Sequence, residues 1–165
     1  MKPALLVIDM QKDFLDSNDK LPPSLNNAIE YINAAIKLFR AKELPIVCVQ
    51  HMNEKENLIP GKEGFDVLDG LNILPSDAHI YKTYGNAFNK TSLQSQLQKL
   101  DVDTLILTGY QAEGCVLSTY RGAKDLDLTP IILRGSLYSE TPEHIKFVEA
   151  ISDLISYGAL KKVLG

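Results

Sequence analysis

An aspartate, a lysine and a cysteine each stand just past a short apolar run. Asp9 follows Ala4-Leu5-Leu6-Val7-Ile8, and Lys82 follows Ala78-His79-Ile80-Tyr81. Cys115 lies beyond Thr104-Leu105-Ile106-Leu107-Thr108 and the segment Gly109-Tyr110-Gln111-Ala112-Glu113-Gly114. A thiol beside a carboxylate can attack carbon while the carboxylate takes its proton and later delivers it to a leaving amine or alkoxide. A nearby ammonium holds the carboxylate in place and favours the thiolate. Each residue also has a plainer reading: a small buried hydrophobe for the cysteine, a turn cap for the aspartate, a solvated charge for the lysine. Placement of all three at strand ends favours the chemical reading.

Cys115 gives the most specific local signal. The chain from Val116 to Lys124 has no proline and sets Val116, Tyr120 and Ala123 at helical spacing, so the cysteine sits at a strand-to-helix turn. A helix amino terminus stabilises a thiolate, and the spacing predicts a Cys115 pKa drawn down from about 8.5 towards neutrality. Gly114 allows a sharp turn before the sulfur, and N–H groups left free there could hold an oxyanion.

The elements that must position these residues alternate. Continuous apolar runs read as strands buried on both faces of a parallel sheet, whose carboxyl ends share the ligand-binding edge. After the first strand, Met10 to Leu15 leads into a polar loop, Asp16 to Lys20. Ser24 is a candidate N-cap for a long helix whose Leu25, Ala28, Ile29, Ile32, Ala35, Ile36 and Phe39 form one buried face. Ile46-Val47-Cys48-Val49 is the second strand, His51 to Asn72 an irregular and therefore functional loop, and Ala78 to Tyr81 the third strand. Thr91 caps a helix carrying Leu93, Leu97 and Leu100. Pro130-Ile131-Ile132-Leu133 is the fifth strand, and Thr141-Pro142 opens a helix with Ile145, Val148, Ile151 and Ile155 inward. Gly158 stops that helix, and Ala159 to Leu164 serves as a last edge strand. The expected fold is one α/β domain over residues 1–165.

Composition narrows the function. A net charge of −4 without a basic cluster argues against a nucleic-acid partner. No apolar stretch approaches the roughly 20 residues of a membrane span, and Asp9 interrupts the amino-terminal run too early for a signal peptide. Two cysteines, Cys48 and Cys115, without close spacing suggest reduced thiols in the cytoplasm, Cys48 being inert inside its strand.

Four ordered segments resemble the isochorismatase-like cysteine hydrolases, the superfamily that includes nicotinamidases. They are Leu6 to Phe14, with Asp9-x-Gln11-x-x-Phe14; Pro60-Gly61-x-x-Gly64; Lys82 to Leu93; and Gly109 to Val116. The resemblance implies a three-layer αβα sandwich with a six-stranded, mostly parallel sheet. It implies Asp9, Lys82 and Cys115 as catalytic triad, a cis peptide at Tyr110–Gln111, and an oxyanion hole from the Gln111 and Cys115 N–H groups. It also implies a homo-oligomer, dimer or tetramer, with the carboxyl-terminal segment one possible contact. Phe14, His51, Tyr84, Phe88 and Tyr110 flank the motifs and are candidates for the substrate pocket; Tyr120 and Tyr138 read as structural.

The sequence also departs from the pattern. Nicotinamidases of the metal-binding type carry Asp-x-His with further histidines after the second strand; here that place reads Val49-Gln50-His51 and no histidine follows in the loop. One histidine does not make a transition-metal site, so no metal and no cofactor are expected. Ala112 stands where many members have Thr, and Arg134-Gly135 where many have Asp-Ala after the fifth strand. The leading expectation is a metal-free cysteine hydrolase acting on a small-molecule amide or related C–N bond. The alternatives are isochorismatase-type ether hydrolysis, nicotinamide hydrolysis, and a non-catalytic small-molecule binding protein of the same fold.

Overall fold

The first five predicted strands all form in one sheet, with every strand pairing parallel. The computed structural model describes residues 1–15 and 21–165; the stretch Asp16 to Lys20, read above as a polar loop, lies outside them. The strands are β1 (Pro3–Ile8), β2 (Ile46–His51), β3 (Ala78–Lys82), β4 (Thr104–Tyr110), β5 (Thr129–Tyr138) and β6 (Leu154–Ile155). They lie in the order β3-β2-β1-β4-β5-β6. The helices are α1 (Lys12–Leu15), α2 (Pro23–Ala41), α3 (Leu93–Lys99), α4 (Leu117–Asp125), α5 (Pro142–Ala150) and α6 (Tyr157–Val163).

Successive residues of a strand face opposite sides, so β1 feeds two cores. Ala4, Leu6 and Ile8 join Leu105 and Leu107 of β4 under α3, α4 and α5, where Leu93, Leu97, Tyr120, Ala123 and Val148 are buried. Leu5 and Val7 join Ile106 under α2 and α6. All seven apolar residues read as the inner face of α2 are buried there. The result is the expected three-layer αβα sandwich. Among the described residues, no helix is long and apolar enough to cross a membrane.

Several local expectations are corrected. Pro23 starts α2, with its φ already helical, so Ser24 falls inside the helix and caps nothing. Thr91 Oγ1 does accept the Leu93 N–H, but α3 ends at Lys99 and leaves Leu100 54% exposed. β5 runs on to Tyr138 through a bulge between the pairs Leu107–Ile132 and Gly109–Leu137. Arg134-Gly135 therefore lies within the strand. At Gly135 (φ +87°) an added Cβ would come 2.7 Å from the Tyr31 ring. α5 ends at Ala150, which leaves Ile151 46% exposed and puts Ile155 in β6. The last segment is a helix rather than a strand: Ser156 accepts the Ala159 N–H as N-cap, Leu160 is buried, and Lys161 and Lys162 close the turn next to the negative helix end.

Candidate active site

The sheet register brings the three reactive residues to one edge. Ile8 pairs with Val49 on one side and with Gly109 on the other, and His51 pairs with Lys82. Asp9 follows Ile8 in a left-handed conformation (φ +51°), which aspartate tolerates better than most residues, and its N–H donates to Val49 O. β4 passes this point closely. A Cβ on Gly109 (φ +115°) would lie 2.2 Å from Ile8 O, so only glycine fits. Beyond Tyr110 the chain makes a π-type turn, Ala112–Val116, before α4, and Gln111 O accepts the N–H groups of Gly114 and Val116. Cys115 lies in this turn. The Tyr110–Gln111 peptide is cis, as the resemblance implies.

Lys82 is the centre of the cluster. Its side chain is fully buried, and Nζ lies 2.9 Å from Asp9 Oδ2, 3.0 Å from His51 Nδ1 and 3.2 Å from Cys115 Sγ. Asp9 is also buried, and its second oxygen, Oδ1, has no hydrogen-bond partner among the described residues. A buried carboxylate oxygen without a partner is costly unless a proton donor arrives, and the half-buried thiol is the donor at hand.

The electrostatics reverse one expectation. Burial, then the Asp9 charge, push the Cys115 thiol up to about 11 against the pull of Lys82, so the sulfur is not a standing thiolate. The lowered value expected from the helix end is not found, because desolvation dominates. Burial likewise raises the Asp9 carboxyl, against Lys82, and a carboxylate of raised pKa is a better proton acceptor. His51 is lowered, by burial and then by Lys82, which leaves its imidazole neutral. The arrangement suits a thiol deprotonated by Asp9 as it attacks.

The candidate pocket residues divide. His51 touches the cluster directly. Phe14 covers it, with ring centroids 6.3 Å from His51 and 5.6 Å from Tyr110. Tyr110 is half-buried and donates its hydroxyl to Glu140 at 2.6 Å. Phe88 packs against the same core as Cys115, beside Ala87, whose N–H donates to Thr119 of α4. Tyr84 turns outward: it is 42% exposed and its hydroxyl accepts from Lys90. Cys48 is fully buried and pushed up to about 12 by that burial, in keeping with an inert thiol.

Three supporting residues were given no role by sequence reasoning. Gln11 is buried and grips the His51 peptide at both ends, Oε1 accepting its N–H (2.7 Å) and Nε2 donating to its carbonyl (2.9 Å). Its place two residues after Asp9, in the Asp9-x-Gln11-x-x-Phe14 segment, was the available signal. Glu140 accepts from Tyr110 through one oxygen and from Gln111 Nε2 (3.3 Å) through the other. Glu113 Oε1 meets Ser139 Oγ and His144 Nδ1. The last two contacts span about 30 residues of sequence and leave no pattern in it.

One set of metal-type donors is brought together among the described residues. Asp9, His51 and Cys115 present donor atoms within 4.8 Å of one another. The Lys82 ammonium already lies among them, within 3.2 Å of each donor atom, and a divalent ion would meet that charge.

Comparison with known proteins agrees with this fold. A family model described as the isochorismatase domain matches residues 3–153. An uncharacterized isochorismatase family protein of Bacillus subtilis is 30% identical over 129 residues, 76% of this chain and 67% of that one. Two similar proteins of Arabidopsis thaliana bear contrasting names. Nicotinamidase 3 is 31% identical over 136 residues (73% of this chain, 65% of that protein). A "probable inactive nicotinamidase" is 27% identical over 161 residues (85% and 82%). A crystal structure of an isochorismatase family protein, 30% identical, superposes with a TM-score of 0.83 over 94% of this chain and 97% of that one.

Proposed function

The chain belongs to the isochorismatase family, and from that premise we propose that it is a cysteine hydrolase cleaving a small-molecule amide or related C–N bond through a covalent Cys115 intermediate. One observation carries the reading. The Lys82 ammonium reaches Asp9 and Cys115 at once, while Asp9 keeps a buried oxygen without a partner among the described residues. Asp9 takes the thiol proton as Sγ attacks the carbonyl carbon, and the Gln111 and Cys115 N–H groups receive the developing oxyanion. Asp9 then passes the proton to the departing amine. Water, deprotonated by Asp9, cleaves the thioester and restores the thiol. Phe14, His51, Phe88 and Tyr110 border the site and shape what it admits; Tyr84 is the weakest of the proposed contacts.

The name nicotinamidase on one relative supports an amide substrate, and the single histidine after β2, His51, where metal-type nicotinamidases carry several, favours an amide other than nicotinamide. The test is a panel of small primary amides assayed for ammonia release, with intact-mass detection of an acyl adduct on Cys115. Cys115→Ala must lose both signals. Ether cleavage that survives Cys115→Ala would replace this reading with the isochorismatase type. Reversible binding with neither turnover nor adduct would replace it with a binding protein. We also propose a homodimer or tetramer, which sedimentation would distinguish from a monomer.

A further inference from the structure

Lys82 has three N–H donors and no acceptor, and each of its near neighbours takes one: Asp9 Oδ2, Cys115 Sγ and His51 Nδ1. The contact at 3.0 Å requires Nδ1 to be unprotonated, which puts the imidazole proton on Nε2. With two acceptors the ammonium could still swing about the line joining them; the third fixes it. The Lys82 side chain exposes no surface in the resting site at which bulk solvent could replace a missing acceptor. The imidazole itself hangs from a peptide that Gln11 grips at both its N–H and its carbonyl, and the same Gln11 Nε2 reaches Phe65 O. So rigid a mounting is more than a pocket wall needs.

We propose that His51 is the positioning residue for Lys82: its neutral imidazole holds the ammonium between Asp9 and Cys115, and its protonation releases it. This rests on the triad reading above. The charged and titratable groups around the ring are Lys82 on β3, Asp9 after β1, Cys115 after β4 and Glu56 in the turn after β2. A proton on Nδ1 would set donor against donor and cation against cation. The site is therefore competent above the His51 pKa and loses its anchor as pH falls through it. Burial and the ammonium set that loss below the ordinary imidazole value of 6.5.

The test needs no substrate, because Cys115 can be read by its rate of alkylation with iodoacetamide, followed by peptide mass across pH. Asparagine offers an acceptor oxygen near the Nδ1 position and does not titrate; leucine offers none. H51N should alkylate within about threefold of wild type near neutral pH, and H51L about tenfold or more slowly, the scale of one lost charge-assisted hydrogen bond. The wild-type profile should carry a His51 inflection beside that of Asp9, and only the Asp9 inflection should remain in H51N. Equal slowing of H51N and H51L, or an H51N profile with the same acid limb as wild type, would overturn the proposal. If H51L does not fold, the comparison of wild-type and H51N profiles decides alone. Asp9→Asn and Lys82→Met separate the two levels: if neither changes Cys115 alkylation, the triad reading fails, whereas if both do and the His51 variants do not, only this inference fails.

Discussion

Asp9 divides its two oxygens between a permanent partner and a transient one. Oδ2 holds Lys82, and in the proposed mechanism Oδ1 receives the thiol proton. Removing the charge keeps the shape and loses the base, so Asp9→Asn should slow acylation by about 10²- to 10⁴-fold, read as single-turnover adduct formation on Cys115. The pH sign follows from burial. The carboxyl is raised above 3.8, and the base form is needed, so kcat/KM should climb with pH through a value above 3.8. A pH–rate profile already flat from pH 4 upward would contradict this. The placement of the three proposed reactive residues was legible in the sequence because Asp9 and Lys82 each end an apolar run and Cys115 stands in the turn between one and a helix. The thiol's raised pKa was not: a helix end can be read from spacing, but the depth at which the sulfur sits depends on Lys82, Asp9 and Phe88, which arrive from other strands and loops.

At the level of elements, the close approach of β4 to β1 is the contact that sets Cys115 against Asp9. Gly109→Ala would put a methyl group 2.2 Å from a backbone oxygen that cannot yield, at a positive φ. We expect a loss of more than about 3 kcal/mol of stability in urea unfolding, if the variant folds at all. Gly158→Ala in α6 is the contrast: nothing lies within 4 Å of the added carbon, so stability should hold or rise by up to about 1 kcal/mol. A second link joins β5 to the end of β4 through Glu140, which accepts from Tyr110 and Gln111. Glu140→Ala should lower kcat more than it raises KM. Because Glu140 is an exposed residue, Tm should move little. The sequence served best for elements with one strong period: the α2 stripe and the four inner apolar runs. It failed for Ala159 to Leu164, where a six-residue stretch fits both periods and only the Ser156 cap, a contact within the folded turn, decides for helix. It also fell short at β5, because a bulge inserts residues that no alternation announces.

For the whole molecule, β1 and β4 belong to both cores, so neither helical layer can be stripped away without exposing strands that the other needs. Cooperative unfolding is the consequence, and the two cysteines provide separate probes of it. Cys48 is fully buried in the middle of β2 and pushed up to about 12, so it should react with a thiol reagent only when the sheet opens. Cys115 is half-buried at the sheet edge and should react in the native state. With Cys115→Ala in place to leave one thiol, Cys48 labelling along a urea gradient should coincide with the loss of far-ultraviolet circular dichroism. Labelling well below that midpoint would mean that the layer formed by α2 and α6 opens before the sheet does, and that the edge holding Asp9 and Lys82 is supported chiefly by the opposite core.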